Sequence, residues 1–253
     1  MAISRHELVC ALDTLLRPQD VQDYCPNGLQ VEGADRIRKV ITGVTASQAL
    51  IDEAVRREAD AILVHHGYFW KGEDPVITGM KGKRIRTLLA NNINLIAYHL
   101  PVDIHASCGN NVQLGSLMEL SNLAPAKGVK PEGIIYTGES SEPVLASEFK
   151  ARLENKLGRS VLHEGDAGDR LETFAWCTGG GQGYIEKAVA MGADAFITGE
   201  VSEQTIHVAR ELGIHFFAAG HHATERYGIK AVGEWLSSSF DITVDFIDID
   251  NPA

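Results

Sequence analysis

Three short segments carry histidines, the last two with an acid close by: Val64-His65-His66-Gly67, His99-Leu100-Pro101-Val102-Asp103 and Gly220-His221-His222-Ala223-Thr224-Glu225. Each closes a continuous apolar run, at residues 61–64, 95–98 and 216–219. Such short runs read as strands buried on both faces. The carboxyl ends of parallel strands line the crevice where open α/β sheets bind ligands. Imidazoles at three strand ends, with carboxylates at two of them, are metal-ligating chemistry, suited to Zn, Mn, Fe or Ni rather than Ca or Mg. Neighbouring strand residues point to opposite faces. His65 and His66 therefore share a site only if the strand ends there, which Gly67 permits; otherwise they serve two different ions. His221 and Glu225 are four apart and share a face if a helix begins at that point. A carboxylate among histidines can bridge two ions. Two ions about 3.5–4 Å apart would activate a water and stabilise both attacking and leaving oxygens.

Other residues are weighed against that constellation. His6, His105, His163, His207 and His215 have no such company and read as surface or core residues. Tyr68, Phe69 and Trp70 follow the first histidine pair directly and either stack on a base or ring or pack the loop. Gly179-Gly180-Gly181 lacks the Gly-Lys-Ser/Thr ending of a P-loop, so a tight strand–helix turn is preferred over a phosphate cradle. Cys10, Cys25, Cys108 and Cys177 form no Cys-x-x-Cys pair and read as reduced, partly buried thiols.

The elements that must position these residues follow an α/β pattern. Ser4 and Glu7 have capping-box spacing ahead of Leu8, Leu12 and Leu16. Cys25-Pro26-Asn27-Gly28 is a turn signal. A strand at 38–44, a helix capped by Ser47, a strand at 61–64, a helix near 83–92 and a strand at 95–98 follow with short connections. The pattern then repeats. Ile51-Asp52-Glu53-Ala54-Val55 matches Ile185-Glu186-Lys187-Ala188-Val189, and Ala59-Asp60-Ala61-Ile62 matches Ala193-Asp194-Ala195-Phe196 at the same offset. Internal duplication is the reading, with two similar halves at 1–122 and 123–253 and mostly parallel sheets. The Gly-, Pro- and Ser-rich stretch 121–143 is the natural boundary. Glu200 stands at the duplicate position of His66, where it lines the cleft, acts as an acid or base, or forms a salt bridge.

With 253 residues the chain needs no disulfide staples. Its formal net charge is -11, which argues against a protein that coats nucleic acid through Lys and Arg. No stretch reaches the ~18 apolar residues of a membrane span, and no signal peptide is visible at the start. A cytoplasmic location is expected.

The motifs Gly-Val-Thr-Ala-Ser (43–47), Val-His-His-Gly (64–67), His-Leu-Pro-Val-Asp (99–103), Ile-Thr-Gly-Glu (197–200) and Gly-His-His-Ala-Thr-Glu (220–225) together resemble the GTP cyclohydrolase I type 2 family. These are also known as NGG-interacting-factor-three-like dinuclear metal proteins. The similarity spans essentially the whole chain and is closest to the short bacterial form. It implies two similar α/β halves with a dinuclear site in the cleft between them, and a toroidal hexamer. Matched position by position, it implies His65, His66, Asp103, His221 and Glu225 as ligands of two divalent ions. It thus chooses His221 over His222 and puts Asp103, not His99, on the metal. Where many members carry Lys-Tyr-His after the Thr-Gly-acid motif, this chain has Ser202-Glu203-Gln204, so no role is carried over to that position.

The function expected from these residues is a metal-dependent hydrolase. If the resemblance extends to activity, it attacks C8 of a guanine nucleotide. His99 or Glu200 would shuttle protons, and Tyr68 or Trp70 would stack on the base. Two other readings use the same residues: a metal-binding assembly or adaptor protein, and a two-metal phosphoesterase. The phosphoesterase needs basic residues near the ligands, and Arg226 is the only one adjacent in sequence. Two divalent ions against Asp103 and Glu225 leave a site about +2, so a nucleotide-sized anion is compatible with an acidic chain.

Overall fold

Ser4 starts the first helix as its spacing predicts. The Glu7 N–H donates to Ser4 Oγ at 3.1 Å, and the Ser4 N–H donates to Glu7 Oε2 at 2.8 Å. The structure is a computed structural model and describes residues 2–253. In chain order the first elements are β1 (Ile3–Ser4), α1 (Arg5–Leu16), β2 (Gly28–Val31), β3 (Arg36–Ile37), β4 (Lys39–Thr45), α2 (Gln48–Arg56), β5 (Ala61–His66), α3 (Gly79–Ala90), β6 (Asn94–Ala97) and α4 (Leu100–Ile104). There follow α5 (Asn110–Leu117), β7 (Ser121–Pro125), β8 (Tyr136–Leu145), α6 (Ala146–Leu157), β9 (Leu162–Glu164), β10 (Arg170–Cys177), α7 (Ile185–Ala190) and β11 (Ala195–Thr198). The last are α8 (Glu203–Leu212), β12 (His215–Ala218), α9 (His221–Ser239) and β13 (Thr243–Phe246).

The chain divides into two compact units. The first comprises Met1–Val102 and Gly228–Asp250, and the second Asp103–Tyr227 and Asn251–Ala253. The boundary drawn from composition, at 122/123, falls inside the second unit, and the chain changes unit within α4 and again within α9. The Gly- and Pro-rich stretch forms β7 and most of β8, paired antiparallel from Ser121 opposite Glu139 to Pro125 opposite Tyr136. Its outer strand is largely exposed, which is why it lacks an apolar period.

The first unit holds a five-stranded sheet ordered β13-β4-β5-β6-β2, parallel except for β2 at one edge. Ile41, Ile62, Val64, Leu95 and Ala97 pack under Leu50, Ile51 and Ala54 of α2 and Ile85 and Leu88 of α3. The second unit holds a six-stranded sheet ordered β7-β8-β10-β11-β12-β9. Its centre, β10-β11-β12, is parallel, and antiparallel strands flank it on both sides. Phe149, Phe174, Trp176 and Phe217 form the core of this unit with Leu153 and Leu157 of α6. Burying one such side chain stabilises by about 1.5–3 kcal/mol. The two sheets share a motif. Three parallel strands end in an antiparallel edge, β4-β5-β6-β2 in one unit and β10-β11-β12-β9 in the other. The matched sequence segments fall on α2 and β5 and on α7 and β11.

Candidate metal centre

In the first unit the backbone brings three imidazoles together. His65 and His66 are the last two residues of β5, and His99 follows β6. The ring centroids of His65 and His66 are 4.4 Å apart, and His99 lies 5.0 Å from the first and 5.6 Å from the second. One ligand-type atom from each of the three lies within 4.8 Å of the others, so this group can hold a metal ion. Because β5 ends at His66, the alternation of faces stops there, and both side chains reach the same locality.

Each imidazole is tied at Nδ1. His65 Nδ1 is 3.2 Å from the Tyr98 carbonyl oxygen, which only accepts, so Nδ1 carries the proton. His66 Nδ1 is 3.3 Å from Thr45 Oγ1, and the parallel register of β4 and β5 sets Thr45 opposite His66. His99 Nδ1 donates to Asp23 Oδ1 at 2.7 Å. A histidine whose Nδ1–H is held by a carbonyl or carboxylate presents Nε2 as a lone pair, the usual arrangement of metal-ligating imidazoles. Asp23 is itself held. It accepts from Asn27 Nδ2 at 2.9 Å and from the Leu100 N–H at 2.9 Å, and Asn27 Oδ1 accepts the His99 N–H. Burial pushes the Asp23 carboxyl up, but the His99 and Asn27 bonds outweigh it and hold it below the ordinary value. Sequence reasoning read residues 25–28 only as a turn. That turn carries Asp23 and Asn27 under His99, and nothing local in the sequence marks their target.

The second unit has a cluster of its own, of carboxylates around one imidazole. His221 opens α9, and Glu225 lies one turn on with Oε2 3.1 Å from His221 Nε2. His221 Nδ1 is 2.7 Å from Glu200 Oε1. Burial opposes charge on this ring, but the bonds to Glu225 and Glu200 prevail and push its pKa up to about 9. The same two carboxylates favour any cation at Nε2. Asp103 is buried and accepts from Asn110 Nδ2 at 2.8 Å, with Thr178 Oγ1 at 3.4 Å. Glu225 is buried as well.

The glycine run is a tight turn. Gly179 has φ +64°, and a Cβ there would overlap the Glu225 carboxylate. The N–H groups of Gly179 and Gly181 donate to Thr224 Oγ1 and Thr198 Oγ1, so both are used inside the unit. At the duplicate position of His65 stands Gly199, where a Cβ would lie 2.6 Å from the His221 Cα. In this half the start of α9 takes the place of a side chain.

Trp70 and Tyr68 go to different places. The Trp70 ring stands edge-on to His99 at 4.8 Å and tilted against His66 at 5.9 Å. Tyr68 is 5% exposed, belongs to the core and donates its hydroxyl to the Ala46 carbonyl at 2.8 Å. Its position is that of a packing residue. His222 is buried, and its N–H donates to the Ala253 carbonyl. Three of the cysteines are buried, and Cys10 is exposed rather than partly buried. All four are free, and burial pushes the Cys25 thiol up to about 12 and the Cys108 thiol up to about 11. Burial, with Asp103 and Glu225 nearby, also drives the Cys177 thiol well above its ordinary value.

The model of the Duf34/NIF3 (NGG1p interacting factor 3) family matches residues 3–252. The chain belongs to that family. It is 58% identical over 248 residues to a GTP cyclohydrolase 1 type 2 homolog of Yersinia pestis, covering 98% of each chain. It is 53% identical over 253 residues to one of Pseudomonas aeruginosa, covering 100% of each. Among solved structures, protein ybgI, of unknown function, superposes with a TM-score of 0.94 at 54% identity, covering 99% of this chain and 100% of the other. TTHA1606 from Thermus thermophilus gives 0.90 at 35% identity, with the same coverage. The expected NIF3 fold is therefore the observed one. Among the described residues no helix is long and apolar enough to cross a membrane.

Proposed function

We propose that this NIF3 protein is a dinuclear divalent-metal hydrolase acting on a small anionic substrate of the nucleotide class. The ligands are His65, His66, Asp103, His221 and Glu225. One observation carries the reading: the Nδ1 atoms of His65 and His66 are engaged by a carbonyl and a hydroxyl, so Nε2 is the atom each can offer to an ion, while His221 Nε2 already lies 3.1 Å from the Glu225 carboxylate, a place a cation can take instead of a proton. The donor chemistry fits Zn, Mn, Fe or Ni. Bound divalent ions supply positive charge and acidify a water toward neutral pH.

The protein groups do the rest. Asn110 and Thr178 orient Asp103, and Glu200 orients His221. His99 holds its Nδ1 proton on Asp23 and exchanges a proton at Nε2. Trp70 offers a ring for a base to stack on. Several close relatives bear the name GTP cyclohydrolase 1 type 2 homolog, which makes guanine nucleotides the first substrates to test. The hexamer implied by the resemblance belongs to the same reading and is checked by light scattering.

The test is metal content and turnover. Protein loaded separately with Mn, Zn or Fe is expected to hold about two ions per chain and to convert a nucleotide to a hydrated or ring-opened product seen by mass spectrometry. The Asp103→Ala, Glu225→Ala double variant should lose the metal. Retained metal in that variant sinks the ligand assignment. Full metal content without turnover of any nucleotide favours the assembly or adaptor role.

A further inference from the structure

Just past His65 and His66, two nearby rings go opposite ways, and the turn between them is strained. Tyr68 is fixed first: its N–H donates to Gln30 Oε1 at 2.7 Å, and its carbonyl accepts from Gln30 Nε2 at 3.1 Å. Phe69 then turns the chain at φ +66°. The left-handed region is unfavourable for a bulky residue, and such a turn persists only where its surroundings hold it. Trp70 follows, half-buried, with its ring on His99 and His66. Residues 71–80 are all exposed, so burial does little to fix the chain beyond it.

Polar contacts fix it instead. The Trp70 N–H donates to Glu73 Oε2 at 3.0 Å, and the Trp70 carbonyl accepts the Glu73 N–H at 2.9 Å. One residue thus takes both backbone groups of Trp70. The Lys71 N–H donates to the Tyr24 carbonyl at 2.6 Å. Glu73 Oε1 is in turn 3.3 Å from Lys81 Nζ, which also donates to the Asp74 carbonyl at 3.0 Å and lies 5.0 Å from the centre of the Phe69 ring. A single ammonium therefore meets the strained residue before Trp70 through its ring face, and the carboxylate that holds Trp70 through its charge. The Lys81 side chain is only 11% exposed, so the pair is less screened than one on the open surface. Lys81 stands in the first turn of α3, where a cation opposes the helix dipole. Its place serves the loop rather than the helix.

We infer that Lys81, acting through Glu73, is the positioning residue that keeps the Trp70 ring against His66 and His99. Without the ammonium, Glu73 loses its anchor and the turn at Phe69 relaxes. The indole then leaves the imidazoles while the metal ligands stay. The use of that ring to stack on a base rests on the proposed function; its placement rests on these contacts.

The experiment labels the full-length, zinc-loaded protein with 5-fluorotryptophan and follows its fluorine spectrum. Trp70→Phe assigns the Trp70 signal, and Trp176 and Trp235 are internal controls. Lys81→Met keeps the stem and removes the charge. It should move the Trp70 signal alone, with metal content unchanged. Glu73→Ala should move the same signal, and the double variant should add little to either single change, because both act through one contact. Lys81→Arg keeps the charge and should hold the signal near its wild-type position. An unmoved Trp70 signal in both Lys81→Met and Glu73→Ala overturns the proposal, as does a shift of all three signals together. A second arm titrates guanosine monophosphate: Trp70→Ala should weaken its binding about tenfold and Lys81→Met about threefold or more. Full affinity in Lys81→Met beside weakened affinity in Trp70→Ala overturns the proposal equally. Absence of binding to the wild-type protein would sink the base-stacking part of the proposed function, and the fluorine spectra would still decide the role of Lys81.

Discussion

At the scale of single residues, the site depends on which nitrogen of each imidazole is engaged. Asp23 shows how much is built for one histidine. It accepts from His99, Asn27 and Leu100 and offers no donor. Asp23→Asn puts an N–H where an acceptor is needed and should cost about 1–3 kcal/mol by denaturant unfolding. It should also scramble the His99 tautomer in nitrogen-resolved imidazole spectra; an unchanged tautomer would sink the positioning role. The pH dependence follows in sign. The folded-state value of Asp23 is lowered from 3.8, so its stabilisation is present above about pH 3.8 and is lost as pH falls through the folded value. His163 shows the other sign. Burial first, then His215 and Lys150, lower its pKa from 6.5. The unfolded chain takes up that proton first, so stability falls as pH drops below about 6.5. His163→Gln should flatten that part of the stability profile. This histidine stacks on Phe217 at 4.4 Å and 7° and bonds His215 at 3.1 Å, a core role in keeping with its isolation in the sequence.

At the scale of elements, the geometry of the candidate site rests on where strands stop and helices start. The capping serines at Ser4 and Ser47 were legible, because each has a local cause; the strand read at 61–64 runs on to His66, and the helix start at His221 was only a condition of the reading until the fold supplied it. The hairpin of β7 and β8 was not legible, because its outer strand β7 is largely exposed and needs no apolar alternation. Gly179 connects β10 to this geometry. Gly179→Ala would add strain of about 1–2 kcal/mol from its left-handed φ and displace the Glu225 carboxylate. Metal content should fall while circular dichroism stays native. Gly180→Ala, whose Cβ would meet nothing closer than 3.6 Å, should leave metal content intact. Equal metal content in both variants would refute the link from the turn to Glu225.

At the scale of the whole molecule, the hydrophobic cores decide stability and the net charge decides little. Phe149 is fully buried against Phe174 and Phe217. Phe149→Ala should cost about 3–5 kcal/mol, read as a shift in denaturant midpoint at constant slope. The charge of -11 is spread over the chain, whereas Asp103 and Glu225 are buried acids at fixed places. The residue types, their grouping after apolar runs and the duplicated helix-and-strand pattern were determined by the sequence alone, because periodicity and spacing act over a few residues. The family membership follows from the same ordered motifs. Only the tertiary structure decided that Asp23 anchors His99, that Glu200 anchors His221, that Tyr68 packs while Trp70 faces the imidazoles, and that α4 and α9 each carry the chain from one unit to the other. Those outcomes join residues tens of positions apart. They depend on how packed layers meet, which no local pattern of residue types encodes.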